Sequence, residues 1–406
     1  MSTTISDRPI DPSAPLAPAP DPWAGMDQPS IRSGPPYHMT DMIAAEPHLA
    51  RRLLQRLADP DGPAAALARA VVEAAAAGQP IVVTGCGTSE HGAIGVAEIL
   101  RDGLRQAALP PSGVVAAQAF EAALDPPTGG LIVGVSHEGG TAATNRALGA
   151  ARAAGARVAI VTVTGRSPGG RAADIVVETG EMDASWCHTV GYLSPLLAAS
   201  AVAGHIAGGR VEGRVDPEAV ARLLAAGATD ATTAAQMAAR LAARSHLIVL
   251  ASGADRAAGR ELVLKIEEAA WVPSAYRDLE TFLHGHLPAT GESTGLVLVL
   301  ADPAARDDRV RRASGALTAA RGVGIETAAI LAADASAAIP AELTSAGRLV
   351  VPEAPDLASP IAALLATATA LQLLTERIAR VRGTNPDAIR RDDPRYAAAA
   401  DAAEWA

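Results

Sequence analysis

The apolar positions fall into two kinds of run. Short, unbroken blocks of Val, Ile and Leu bounded by Gly or polar residues occur at 81–84, 131–135, 158–163 and 175–177. Runs of this length without alternation predict strands buried on both faces. Between them lie longer Ala-, Leu- and Arg-rich segments of helical period, such as 92–109 and 142–154. Strand alternating with helix predicts a parallel sheet with right-handed crossovers. After a long helical stretch at 217–244 the rhythm returns, with strands expected at 247–251, 296–300, 325–330 and 348–351. The step from Ile81 to Leu131 matches that from Leu247 to Leu296 within one residue. The chain therefore reads as a tandem duplication of one α/β unit. A last amphipathic helix, 361–381, precedes a polar tail. Open parallel sheets hold ligands in the crevice at their strand ends, so a site is expected between the halves or between subunits.

The 406 residues give this outline: a Pro- and Ser-rich leader at 1–36 expected to be disordered, a helical segment at 37–70, one domain at 71–210, a second at 217–381, and the tail 382–406. Lys and Arg number 34 against 44 Asp and Glu, a net charge of −10 with no basic run, which argues against nucleic-acid binding. The leader lacks the charged start and apolar core of a secretory signal. No stretch supplies the ~20 uninterrupted apolar residues of a membrane span, and two cysteines are too few for a disulfide framework. A soluble, cytoplasmic protein is the expectation.

Chemistry concentrates in a few segments. The first strand runs into Thr84-Gly85-Cys86-Gly87-Thr88-Ser89 and the strand at 131–135 into Ser136-His137-Glu138-Gly139-Gly140-Thr141, each opening a helix. Small hydroxyls and free backbone N–H groups at helix starts form an anion cradle, although such turns also serve as ordinary caps. The corresponding turns of the second half, Ser252-Gly253-Ala254-Asp255 and Ala301-Asp302-Pro303, carry acidic groups instead. Only the first half looks built for an anion. The chain uses Arg almost throughout and has one lysine, Lys265, three residues before Glu268 and on the same helical face. Cys187 beside His188 invites a nucleophile reading, but sequence neighbours rarely face each other. His91, His137 and His188 are candidates to surround one ligand, and no metal-ligand spacing is present; neither metal nor cofactor is expected.

GCGTS after a strand, then a strand running into S-x-x-G-x-T in a duplicated α/β chain, resembles the double sugar-isomerase (SIS) domain family. That family includes the isomerase half of glucosamine-6-phosphate synthase, amino-sugar-phosphate deaminase/isomerases and deglycases. The likeness runs from about Tyr37 to about Arg395. It implies two tandem SIS domains, each a flavodoxin-like three-layer sandwich. The segment from Glu261 to Leu287 looks like the family's catalytic stretch. In that register the resemblance makes Glu268 the base that moves a proton between C1 and C2, His284 the group that opens the sugar ring, and Lys265 their electrostatic partner. It makes Gly87, Thr88, Ser89, Ser136, His137, Glu138 and Thr141 the substrate or anion cradle. It also makes 181–192, with Ala184 and His188, the loop that closes over the sugar.

The implied function is a stand-alone sugar or amino-sugar (phosphate) isomerase, deaminase/isomerase or deglycase working as a homodimer. The alternative is a non-catalytic sugar-phosphate-binding regulatory protein. Three departures bear on it. No glutaminase domain is present, so amidotransfer from glutamine is not expected within this chain. The tail has Pro394-Arg395 but lacks the family's following lysine. Glu138 stands where the family's phosphate loop has serine, and a carboxylate ~4 Å from a phosphate costs about 4 kcal/mol at a dielectric of roughly 20, about a thousandfold in affinity. Either Glu138 turns away, or it pairs with a protein cation, or the ligand differs.

Overall fold

The computed structural model describes residues 9–19, 32–208 and 215–404. The first half runs α1 (His38–Leu57), α2 (Pro63–Ala76), β1 (Ile81–Gly85), α3 (Thr88–Gln106), β2 (Val114–Gln118), α4 (Ala119–Leu124) and β3 (Leu131–Val135). It continues through α5 (Ala142–Ala153), β4 (Arg157–Thr162), α6 (Pro168–Ala172), β5 (Ile175–Glu178) and α7 (Val190–Ile206). The second half runs α8 (Pro217–Gly227), α9 (Ala231–Leu241), β6 (His246–Ala251), α10 (Asp255–Ala270), β7 (Ser274–Asp278), α11 (Leu279–Thr281) and β8 (Thr294–Leu300). It ends with α12 (Arg306–Gly322), β9 (Glu326–Ala332), α13 (Ala333–Ala338), β10 (Gly347–Val351), α14 (Ser359–Arg382) and α15 (Pro394–Glu404).

Each half forms one five-stranded parallel sheet, ordered β2-β1-β3-β4-β5 and β7-β6-β8-β9-β10. The two orders are the same permutation, so the duplication read from strand spacing is also a duplication of topology. The edge strands β2 and β7 were not among the predicted strands. β2 is Val-Val-Ala-Ala-Gln and β7 is Ser-Ala-Tyr-Arg-Asp, so neither shows the run of three or more Val, Ile and Leu found in β1, β3, β5, β6, β8 and β10. The expected helix at 217–244 is two helices, split where Asp230 caps α9 by accepting from the Thr233 N–H at 3.0 Å.

One continuous core joins the halves. α14 packs on α10, α8 and α9 of its own half and on α1 and α7 of the other. It is longer and more apolar than the sequence expectation allowed, the one described helix able by length and composition to cross a membrane, and 94% of its apolar window is buried inside the molecule. Part of the expected leader is packed: Leu16 N–H donates to Glu181 Oε2 at 3.0 Å, and Met182 N–H to the Ala17 carbonyl at 2.9 Å. Residues 1–8 and 20–31 of that leader lie outside the described residues. The tail returns to the start of the fold, where both oxygens of Asp387 accept the first N–H groups of α1, from His38 at 2.7 Å and Met39 at 2.9 Å.

The turn from β1 into α3 is tight enough to require glycine: a Cβ on Gly85 would stand 2.5 Å from the Ser89 carbonyl oxygen and 2.9 Å from that of Val135. Gly149, on the open side of α5, faces nothing within 4 Å. Gly85→Ala is therefore expected to lower stability by about 1–3 kcal/mol, whereas Gly149→Ala raises it by about 0.5–1 kcal/mol by removing helix-interior glycine. Urea-unfolding midpoints check both, and shifts of the same sign would contradict this packing.

Candidate active site

β1 and β3 lie side by side, but the helices that follow them leave on opposite faces. α3 packs with α7 and α10, α5 with α4 and α6. Their N-termini diverge, and a crevice opens at the strand ends. The cleft there has a volume of about 860 Å³ and is lined by residues of both helix starts, α10, the 181–192 loop and the tail. Gly87, at φ +57°, makes the turn that brings Thr88 and Ser89 to the start of α3. Ser136 is buried below the opposite loop, where its Oγ accepts the Gly139 N–H at 3.1 Å, so it holds the turn rather than facing the cleft. Thr141 occupies the cap position of α5 and lines the cleft, but its hydroxyl makes no cap bond and instead lies 3.5 Å from Ser136 Oγ.

α10 crosses from the second half with Glu261, Lys265 and Glu268 on one face. Glu261 and Lys265 are fully buried. The Lys265 ammonium lies 2.5 Å from Glu268 Oε2 and 3.6 Å from Glu261 Oε1. Burial opposes its charge, but Glu268, Cys187 and Glu261 around it push its pKa upward. Glu261 also meets α3, accepting from Thr88 Oγ1 at 3.3 Å and facing His91 Nδ1 at 2.8 Å. Burial disfavours its charge, yet Lys265, His91 and Thr88 hold its pKa below the usual carboxylate value. Glu268 ends the chain of contacts and opens into the cleft. Lys265 does not line it, so it positions Glu268 rather than touching a ligand. Sequence reasoning missed Glu261, although an acidic residue four before the only lysine was a usable signal.

The loop before α7 is knotted around Asp183. This buried carboxylate accepts N–H groups from Ser185 (3.4 Å), Thr189 (2.7 Å) and Gly191 (3.0 Å), and its own N–H donates to His137 Nε2 at 2.9 Å. Burial drives the His137 pKa down to about 3, with His188 adding to the effect. For His188 burial acts the same way, but Asp183 and Glu138 outweigh it and its pKa is raised. His137, Asp183 and His188 each offer a donor atom within 4.8 Å of the others. Those of Asp183 and His137 already serve the loop's own backbone, so the trio fits a structural knot better than a metal. Trp186 and Arg391, stacked with the guanidinium 4.1 Å from the ring centre, form the cleft's outer wall. Neither was singled out as a ligand contact. Glu138 does not turn away: it lines the cleft, and burial raises its pKa.

Three expected site residues are placed elsewhere. Ala184 is buried in the core and does not reach the cleft. His284 lies outside it with its side chain 70% exposed, on a kinked turn where Gly285 has φ +113°, bonded through Nε2 to Glu280 at 2.6 Å. Ser136, as described, is below the surface. Cys187 is fully buried, and burial pushes its thiol well above its ordinary pKa, which leaves it unactivated. In the second half the matching cradle is filled by the protein itself. Asp302 Oδ2 accepts the Ala254 N–H at 2.9 Å and pairs with Arg309 at 2.6 Å, while Asp255 Oδ2 accepts from Ala301 and Asp302.

No family model and no curated protein matches the chain. Among solved structures it is similar to the C-terminal domain of glucosamine-fructose-6-phosphate aminotransferase from Francisella tularensis, at 17% identity and TM-score 0.74 over 88% of this chain and 99% of that one. The fold is that of tandem sugar-isomerase domains. The same sugar-isomerase fold appears in tagatose-6-phosphate ketose/aldose isomerase from Escherichia coli, at 13% identity and TM-score 0.67 over 87% of this chain and 95% of that one. It appears also in glucosamine-6-phosphate deaminase from Thermotoga maritima, at 17% identity and TM-score 0.58 over 86% and 97%.

Two outcomes follow from the buried charges. Lys265→Met leaves a sealed carboxylate without its partner and is expected to destabilise the protein by about 3–5 kcal/mol, with a large part regained by adding Glu261→Gln; an unchanged midpoint in the single variant would contradict the clamp. In an NMR titration His188 should change charge above the ordinary histidine value of 6.5, while His137 stays neutral down to about pH 3. Because the folded His188 pKa is raised, its share of stability is complete below pH 6.5 and fades as pH rises through that folded value.

Proposed function

We propose that the chain is a stand-alone sugar or amino-sugar isomerase-type enzyme, an isomerase, deaminase/isomerase or deglycase, that moves a proton between C1 and C2 of the open-chain sugar. The observation that carries this reading is Glu268, a carboxylate opening into the cleft with the buried Lys265 ammonium 2.5 Å behind it. That arrangement suits a base that takes a proton from carbon and returns it to the adjacent carbon. The carbonyl oxygen gains negative charge as the enediolate forms, and the N-termini of α3 and α5 at the cleft face that charge with oriented backbone N–H groups. The structural neighbours named for ketose/aldose isomerisation and amino-sugar deamination support the same class of chemistry.

Ring opening needs a second proton-transferring group. His284 is exposed and outside the cleft of its own chain, so in this reading it reaches a site only in a homodimer, across to the other copy. The same exposure is what favours the rival reading, a non-catalytic sugar-binding regulator.

Conversion assays on aldose, ketose and amino-sugar substrates separate the two. Glu268→Gln is expected to lower kcat by about 10²–10⁴ with little change in binding; binding by the wild type with no conversion of any substrate would favour the regulator. Mixing the inactive Glu268→Gln and His284→Gln variants should restore about a quarter of the activity if sites are shared in a two-fold dimer. No recovery would contradict the shared site.

A further inference from the structure

The proton-transfer reading leaves open what the far end of the sugar carries, and the loop that opens α5 bears on it. Glu138 lines the same cleft as Gly87, Thr88 and Thr141. Helix starts with free N–H groups favour an anion, and a carboxylate among them opposes one. Glu138 Oε1 is shielded from water and has no hydrogen-bond partner among the described residues. Its nearest cationic neighbour is His188 Nε2 at 3.9 Å, too far for a hydrogen bond. Nδ1 of the same imidazole is also unpartnered, with Asp183 Oδ2 at 3.7 Å.

Arg146 and Arg391 line the cleft as well, but among the described residues neither comes within ion-pairing distance of Glu138. Arg146 is exposed, and Arg391 is stacked on Trp186. Glu138 is therefore not turned away and is ion-paired to no arginine among the described residues, although the Arg391 charge works against the burial that raises its pKa.

Oε1 lies behind the surface, but the Glu138 and His188 side chains are each about a quarter exposed and line the cleft side by side, so one ligand oxygen can meet both groups from the cleft. A sugar hydroxyl donates to a carboxylate and accepts from an imidazole N–H at the same time. A phosphate dianion only accepts, and would be brought against Glu138. An ammonium only donates, and would face His188. We propose that Glu138 and His188 form a hydroxyl-recognising subsite, so that the substrate is a sugar with a free hydroxyl, not a phosphate ester, at the end that enters this loop. The assignment rests on the sugar-isomerase reading and narrows its substrate class.

The test uses the full chain with fructose, fructose 6-phosphate, glucose and glucose 6-phosphate, measuring dissociation constants by calorimetry and conversion rates alongside. Each parent sugar should bind about tenfold or more tightly than its phosphate, the scale of one uncompensated buried charge. Glu138→Ser should reverse that order, and Glu138→Gln, which keeps size but not charge, should narrow it, with melting temperatures confirming that both fold. A wild type that prefers the phosphates, or a ratio unchanged in both variants, overturns the subsite while conversion still upholds the isomerase reading. A wild type that neither binds nor converts any of the four overturns that reading and the subsite with it.

Discussion

One ammonium group sealed from water sets the terms for the rest of the molecule. A lysine buried without partners would lose its proton or expel its helix. Lys265 keeps its charge because Glu268 and Glu261 flank it on the same face of α10. Glu261 in turn needs donors, and finds them on α3 of the other half in Thr88 and His91. The two halves are thus joined at the point where α3 begins and the cleft opens. Satisfying one buried charge fixes the angle of α10, closes the cleft's floor and leaves a carboxylate facing the space where a ligand fits.

The two copies of the same topology differ at their strand ends. Both sheets bring a helix start to the ends of their central strands. In the second half Asp302 caps the start of α10 at the Ala254 N–H, Asp255 accepts the N–H groups of the turn after β8, and Arg309 balances Asp302. In the first half no acidic side chain among the described residues caps the starts of α3 and α5, and Ser89 and Thr141 line the cleft. The second half contributes α10 and its charges instead. Two halves of one topology thus differ at the cleft: the first lines it with two helix starts, and the second sends the Lys265–Glu268 pair to its edge.

Much of this could be read from the sequence, and what could not has physical reasons. The central strands were visible because strands buried on both faces leave unbroken apolar runs. β2 and β7 were not, because they hold few Val, Ile or Leu residues in a row, whereas the other two edge strands, β5 and β10, keep such a run. Lys265 stood out through the scarcity of lysine and Glu268 through its place in the stretch that resembles the family's catalytic segment, whereas Glu261 looked like any solvated helix position until its contacts with Lys265, His91 and Thr88 showed that it is held charged. Asp183 makes its bonds to backbone N–H groups, which no residue pattern announces. Trp186 and Arg391 meet only because the tail folds back over the 181–192 loop, anchored where Asp387 caps α1. His284 was legible as chemistry but not as geometry, since a motif states which group is present and not which cleft it faces.

The central claim is that Glu268 carries a proton between two carbons of a sugar. The most direct measurement is proton NMR in deuterated water, following solvent deuterium into C1 and C2 of the sugars with the wild-type protein and with Glu268→Gln. The account predicts uptake at one of these carbons by the wild type and none above background in the variant. Uptake that persists in Glu268→Gln, or wild-type conversion without any uptake, would contradict it.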